Sequence, residues 1–307
     1  MAVGFVPRRS RSWSRRLILS RHLVQAAVVG WVAWLIGSKA ASADAASPEA
    51  FCPFGGFETA WTWVTTGRTV SHVHTSNLVL AAVITVLALA ARGFFCGWVC
   101  PLGTLQEAVT AGVRMVTGRI PGARRSVRRI RARAAWWPAL DRVLRFGRYA
   151  VLVWALAGAA FTGAMVFRAY DPWRALLSVA DFEISTGVVV LAAVLLLSAL
   201  VDRPFCRYAC PLGAAQSLVG RFSPVAVQRD SAACLGCEIC NAACPMGIAV
   251  NACTRVSDAA CIGCLQCVAA CPSRDALTLS FSLPTRAKPQ PIQAATAAAA
   301  IPEGALS

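Results

Sequence analysis

The chain is 307 residues long, 57% hydrophobic and only 14% charged, with a formal net charge of +16 carried almost entirely by arginine. That apolar excess excludes an ordinary soluble domain. The sequence holds no nucleic-acid-binding motif, so the positive charge points to anionic lipid rather than nucleic acid.

Four apolar stretches follow in chain order, each read as a bilayer span. The first is Leu23–Gly37, extending back to Leu17 if Arg21 snorkels to the interface; it is read as a retained helix rather than a cleaved signal. The others are Asn77–Phe95, Tyr149–Phe167 and Ile184–Val201. The connecting segments alternate in charge. Residues 1–22 hold six arginines and no acid, and residues 92–148 hold twelve arginines and two acids. Residues 38–75 and 168–185 each hold two basic and three acidic residues. The positive-inside rule then puts both termini and the 92–148 loop in the cytoplasm of a multi-pass protein of the bacterial inner membrane. Within that loop, "RRSVRRIRARAAWW" (Arg124–Trp137) reads as a topology anchor or a helix lying on the membrane surface.

The sequence is internally duplicated. "FCGWVCPLGTLQ" (Phe95–Gln106) and "FCRYACPLGAAQ" (Phe205–Gln216) agree at seven of twelve positions. Each follows an apolar span on the same side, so the expected membrane part is two related helical hairpins. Proline directly after Cys100 and Cys210 predicts that short interfacial helices start there, with helix N-termini lowering the thiol pKa values. Neither pair supplies four ligands. Cys96, Cys100, Cys206 and Cys210 together do, across a pseudo-twofold axis, and an additional iron–sulfur cluster at that place is one expectation. Redox-active dithiols, a docking surface and a structural role are the others.

The strongest motif lies further on. "CLGCEICNAACP" holds Cys234, Cys237, Cys240 and Cys244; "CIGCLQCVAACP" holds Cys261, Cys264, Cys267 and Cys271. Both follow the C-x2-C-x2-C-x3-C-P pattern of two-cluster bacterial ferredoxins, in which the fourth cysteine of each run serves the other cluster. One [4Fe–4S] cluster is thus expected on Cys234, Cys237, Cys240 and Cys271, a second on Cys261, Cys264, Cys267 and Cys244. Zinc sites favour paired knuckles over triple runs, and a reducing cytoplasm disfavours disulfides. Cys253 fits neither run and is expected to be a small buried apolar residue.

The fold expected is an α-helical membrane domain over 1–222, with four transmembrane helices as two duplicated hairpins. A small α+β two-cluster ferredoxin domain over 223–281 follows, then a disordered tail over 282–307. The combination of "FCPFGGFET" (Phe51–Thr59), "SHVHTSNLVL" (Ser71–Leu80), both FCxxxCPLG segments and both ferredoxin runs resembles the NapH/NosR-type membrane-bound 4Fe–4S proteins. The resemblance covers roughly residues 15–280. It implies an electron-transfer subunit between the quinone pool and other electron-transfer subunits or a periplasmic reductase pathway, with quinol dehydrogenase activity left open. A NosR- or CcoG-like accessory role in maturing or regulating a metalloenzyme is the alternative. The outer loops are too short for the periplasmic FMN domain of NosR-like proteins, and the tail too short for the extra domain of CcoG-like ones. With quinol as substrate, His72, His74 and Glu58 on the outer face are the candidate proton acceptors, against ordinary interfacial polar residues. Cys52 stands alone on that side.

Overall fold

The computed structural model describes residues 11–41, 52–70, 74–119, 138–177, 185–273 and 275–281. The arginine-rich segment 124–137, His72 and the tail lie outside them. Prolines place many of the helix starts, because a missing N–H costs nothing in a first turn and φ is preset. Pro53 opens α2 (Pro53–Thr66), Pro101 opens α4 (Pro101–Arg119) and Pro138 opens α5 (Pro138–Thr162). Likewise Pro172 opens α6 (Pro172–Leu177), Pro204 opens α8 (Pro204–Tyr208) and Pro211 opens α9 (Pro211–Gly220). The remaining membrane-part helices are α1 (Arg11–Ala41), α3 (Thr75–Ala91) and α7 (Thr186–Ser198).

Two helices are long and apolar enough to cross a bilayer unaided, over Trp13–Ser38 and Leu140–Thr162. The expected spans shift accordingly. The first helix starts well before Leu23, and the third ends at Thr162 instead of Phe167. The second and fourth are shorter than their apolar runs. At 1.5 Å per residue, α3 is about 26 Å long and α7 about 20 Å, below the ~30 Å of a hydrocarbon core. In the second run Phe95 is spent on the cysteine turn, and in the fourth the residues after Ser198 form a separate turn before Pro204 opens α8. Phe95–Val99 forms a single π-helical turn and Phe205 lies in α8.

Arg21 also departs from expectation. It is completely buried within the protein. At the other end of the helices, α2 packs closely against α3. A Cβ on Gly56 would sit 2.3 Å from the Asn77 carbonyl oxygen, and the buried Asn77 donates from Nδ2 to the Cys52 carbonyl at 3.0 Å. The core of this part gathers Phe54, Leu102, Leu152, Phe167, Leu191, Val194 and Phe205.

The second unit is built on strands β1 (Val225–Arg229) and β2 (Leu277–Phe281), paired antiparallel from Val225 opposite Phe281 to Arg229 opposite Leu277. Between them lie the cysteine runs and two one-turn helices, α10 (Ile239–Ala242) and α11 (Gln266–Ala270). Val227, Met246, Ile248, Val250, Val268 and Leu277 form its core, and Trp13 and Cys96 of the membrane part pack against that core. The two units therefore share a continuous interior at the cysteine end of the helices.

Candidate iron–sulfur sites

The two C-x2-C-x2-C loops have the same backbone. Gly236 and Gly263 stand at φ +67° and +61°, and two residues on, Glu238 and Leu265 both stand at φ +57°. Left-handed residues at alternate positions curl the chain so that successive N–H groups face one concavity, the kind of nest that anionic groups occupy. A side chain at φ near +60° carries a conformational cost, so its recurrence at the same place in both loops marks a shape demanded of each. Cys240 has Cys271 and Cys234 as electrostatic neighbours, while Cys267 has Cys264, Cys261 and Cys244. Cys237 is exposed, whereas Cys264 is buried. Cys253 stands apart. It is half-buried, not buried as expected, with its thiol 3.7 Å from the Ala249 carbonyl.

The doubled motif converges on one place. Cys96, Cys100, Cys206 and Cys210 line a single small cavity with Arg148 and Gln216. The two turns share a signature: the Cys100 N–H donates to the Phe95 carbonyl at 2.8 Å and the Cys210 N–H to the Phe205 carbonyl at 2.9 Å. Cys100 and Cys210 are both extended, at ψ 114° and 112°, immediately before the prolines that open α4 and α9. The glutamines that end the two motifs cross over. Gln106 donates from Nε2 to Cys206 Sγ at 3.5 Å, and Gln216 Oε1 accepts from Cys96 at 3.3 Å. Each half-motif thus finishes the environment of the other half, and both glutamines are buried.

The thiols are not acidified as the helix N-termini led us to expect. Gly213 N–H does reach Cys210 Sγ at 3.3 Å, but burial first, and the neighbouring thiols second, raise Cys96, Cys100 and Cys210 above the ordinary thiol range. Cys96, Cys100, Cys206 and Cys210 are half-buried and stand as electrostatic neighbours, a set of four sulfur donors that fits an iron–sulfur cluster. Among the described residues no group of three or more Cys, His, Asp or Glu side chains is placed to hold a single metal ion.

A buried charge network ties this place to the ferredoxin unit. Glu107 of α4 is its centre. Its carboxylate pairs with both arms of the Arg21 guanidinium, accepts from Arg203 Nη2 at 2.7 Å and accepts from Gln266 Nε2 at 2.6 Å. Burial would raise this carboxyl, but the hydrogen bonds from Arg21 and the two guanidinium charges outweigh it and hold the pKa down at about 2. Arg203 also donates to the Cys96 carbonyl at 2.6 Å, and Arg21 to the Gly97 carbonyl at 3.0 Å. Both guanidinium groups lie within electrostatic reach of Cys264, and Arg203 of Cys206 as well. This network explains why Arg21 is buried. The sequence reading gave Arg21 an interfacial role and missed Glu107 and Arg203, and the available signal was that Glu107 is one of only two acids in the arginine-rich 92–148 stretch. The other acid, Asp141, pairs with Arg145 and Arg207 at 2.8 and 2.6 Å and accepts from Tyr208 at 2.7 Å.

Of the three expected proton acceptors at the opposite end of the helices, two lie among the described residues. His74 caps α3 on the exposed surface, and His72 is outside the described residues. Glu58 is 1% exposed. Burial and then the nearby Asp171 raise its carboxyl to about 8. Asp171, which the sequence reading did not single out, is buried beside Cys52, whose thiol lies 3.7 Å from Oδ2. Burial raises Asp171 to about 6, against the N–H of Trp173 and the charge of Arg174.

Comparison with known proteins agrees with this geometry. A 4Fe-4S binding domain profile matches twice, over 73–119 and 185–229, one match on each half of the duplication. A 4Fe-4S dicluster domain profile matches residues 226–277. These define an iron–sulfur electron-transfer protein. The relatives include YccM of Escherichia coli K12, 28% identical over 68% of this chain and 56% of that protein. An uncharacterized protein of Methanocaldococcus jannaschii is 30% identical over 66% of this chain and 79% of its own length. The ferredoxin-type protein NapH of Haemophilus influenzae is 29% identical over 57% and 55%. The chain belongs to the NapH-type family of 4Fe–4S electron-transfer proteins. It spans about half the length of YccM and NapH. No solved structure matches it.

Proposed function

We propose that the chain is a four-span inner-membrane protein, with both termini cytoplasmic, that carries electrons from the quinol pool through three iron–sulfur clusters toward a respiratory reductase pathway. The four-span reading is supported by the outward faces of the two shorter helices. Val79, Val83 and Val86 of α3 and Val189, Leu196 and Leu197 of α7 are all exposed. So large an apolar surface needs lipid around it.

The observation that carries the electron-transfer reading is the crossed pairing of Gln106 with Cys206 and Gln216 with Cys96. It makes the four membrane-end cysteines one site, and Cys261 of the ferredoxin unit lines the same cavity. In this reading Cys96, Cys100, Cys206 and Cys210 hold a membrane-end cluster. Cys244, Cys261, Cys264 and Cys267 hold the cluster docked against it, and Cys234, Cys237, Cys240 and Cys271 hold the outermost one. These clusters supply one-electron carriers, while the protein supplies spacing and electrostatics. The exposure of Cys237 makes the outermost site the exchange point for a soluble or subunit partner. Arg21 and Arg203 put two positive charges, offset by one carboxylate, between the membrane-end and docked sites, where they favour the more negative, reduced form of each.

Iron and sulfide analysis tests the count. Three cubes give about twelve of each per chain and two give about eight. The Cys96→Ser/Cys206→Ser protein should fall from about twelve to about eight, with ferredoxin-type signals retained. An unchanged value of about eight in both proteins excludes the membrane-end cluster.

A further inference from the structure

Gln106 and Gln216 hold equivalent places in the duplicated motif, but their amides are used differently. Gln106 uses both ends. Its Nε2 donates to the Leu102 carbonyl at 3.2 Å and to Cys206 Sγ at 3.5 Å, and its Oε1 accepts from the Phe205 N–H at 3.2 Å. Gln216 Oε1 accepts from Cys96, while Nε2 is buried with no hydrogen-bond partner among the described residues. Two guanidinium groups are in the same position. Arg92 and Arg148 are 6% and 5% exposed, and the Nε of each is buried without a partner among the described residues. All three side chains line the cavity shared with Cys96, Cys100, Cys206 and Cys210.

These two arginines also lack a counter-ion. Arg21 and Arg203 share the Glu107 carboxylate, but among the described residues neither Arg92 nor Arg148 forms an ion pair. Arg92 Nη1 donates to the Asp258 carbonyl at 3.2 Å, and Arg148 Nη2 to the Tyr149 hydroxyl at 2.9 Å. Asp258 is the one acid on the cavity wall among the described residues, and its Oδ1 accepts from the Ala260 N–H at 2.8 Å. Arg148 lies within Leu140–Thr162, one of the two stretches long and apolar enough to cross a bilayer. A charged side chain in such a helix is expensive and marks a functional place. A buried charge left unpaired costs several kcal/mol, about 3–5. On this wall the groups able to supply negative charge beside Arg148 are the cysteine sulfurs, once they ligate iron.

We propose that Arg148 sets the reduction potential of the iron–sulfur centre held by Cys96, Cys100, Cys206 and Cys210, with Gln216 Nε2 as a second donor toward its sulfur. The inference rests on the membrane-end cluster proposed above. Reduction adds one electron to the centre, and no bond forms or breaks. The added negative charge sits in a pocket of low dielectric, where a fixed positive charge stabilises it strongly and raises the potential. Of the two guanidinium groups within electrostatic reach of Cys96, those of Arg203 and Arg148, only Arg148 has no carboxylate to offset it. Arg92 stands in the same relation to Cys261 of the docked site. Each of the two adjacent sites therefore has one uncompensated arginine of its own.

Redox titration of the purified full chain in detergent, followed by electron paramagnetic resonance, tests this. The membrane-end signal is the one that Cys96→Ser/Cys206→Ser removes. Arg148→Leu should make that centre harder to reduce by about tenfold or more in the equilibrium constant, about 59 mV for a one-electron couple. The ferredoxin potentials and the content of about twelve irons should stay unchanged. Arg148→Gln removes the charge but keeps a polar group beside Tyr149, and should give the same shift where Arg148→Leu does not fold. Arg148→Lys keeps the charge and should restore most of the potential. Gln216→Met, similar in shape without an N–H, should shift it the same way by less. A role confined to seating Tyr149 would lower thermal stability and leave the potential in place. Twelve irons with an unchanged potential in the Arg148→Leu and Arg148→Gln proteins overturns the assignment while the cluster stands. About eight irons in the wild-type protein removes the cluster, and the assignment with it.

Discussion

Glu107→Gln should destabilise the protein by about 3–5 kcal/mol, the usual cost of removing one partner from a buried ion pair. The size follows from what the carboxylate leaves behind. Arg21 and Arg203 have side chains only 1% exposed, and Glu107 is the only carboxylate with which either forms an ion pair among the described residues. Glutamine keeps the shape and one acceptor but leaves two guanidinium charges facing each other away from water. Gln266 loses the carboxylate it donates to at 2.6 Å, so the loss is felt in both units of the chain. Thermal or denaturant unfolding in detergent measures it. A shift within ~0.5 kcal/mol of wild type, the range of ordinary surface substitutions, would mean that Glu107 is not the keystone of the network.

The same residue sets an acid limit. The folded-state pKa of Glu107 is depressed to about 2, against about 4.3 for an unperturbed glutamate. A depressed carboxyl contributes stability that is fully present above the unfolded pKa and is lost as pH falls through the folded one. The contribution should therefore be constant above about pH 5 and disappear between about pH 4 and 2. Glu107→Gln should remove that slope, which an unfolding series over this range would display.

How much of this was legible beforehand depends on whether the signal was local. The cysteine runs could be read because a ferredoxin loop is one short segment whose spacing fixes its ligands. The Gly at the third position of each loop was visible too, but nothing in the sequence announced left-handed Glu238 and Leu265. The duplication could be read because the copies share seven positions. What the copies do to each other, with Gln106 serving Cys206, needed the fold, since that contact joins residues 100 apart. The charge network was opaque for the same reason. Arg21 looked like an interfacial arginine, yet its carboxylate lies 86 residues away and the second arginine another 96 beyond that. The second and fourth helices were overestimated because hydropathy cannot tell a helix from an apolar turn that continues it, and the first and third were underestimated because their polar ends carry no hydropathy signal. Glu58 was chosen as an outer-face acid, while its buried neighbour Asp171 was not.

Gly97→Ala should separate the ferredoxin unit from the membrane part. A Cβ there would lie 2.4 Å from the Ile262 carbonyl oxygen and 3.3 Å from Cys264 Cα. The obstruction is backbone, which cannot rotate away as a side-chain tip can. The backbone it meets is the loop holding Cys261, Cys264 and Cys267, so the displaced element is the docked cluster site itself. Gly93 makes the same approach, with a Cβ position 2.8 Å from Ile262 Cα. Trp98 Nε1 donates to the Gly263 carbonyl at 3.1 Å and Arg92 to the Asp258 carbonyl at 3.2 Å. These bonds hold the loop against the glycines and must stretch when it moves. Overpacking of this kind costs ~1–3 kcal/mol. The functional loss should exceed the stability loss, because the gap opens between the two sites proposed to exchange electrons. Single-turnover reduction of the ferredoxin clusters should slow markedly while the membrane-end site is still reduced at the wild-type rate. Gly112→Ala on α4, where a Cβ meets nothing within 4 Å, is the matched control. It should leave both rates alone and stabilise the helix by up to ~1 kcal/mol. If Gly97→Ala reduces its ferredoxin clusters as fast as wild type, electrons do not cross at the Gly97–Ile262 contact.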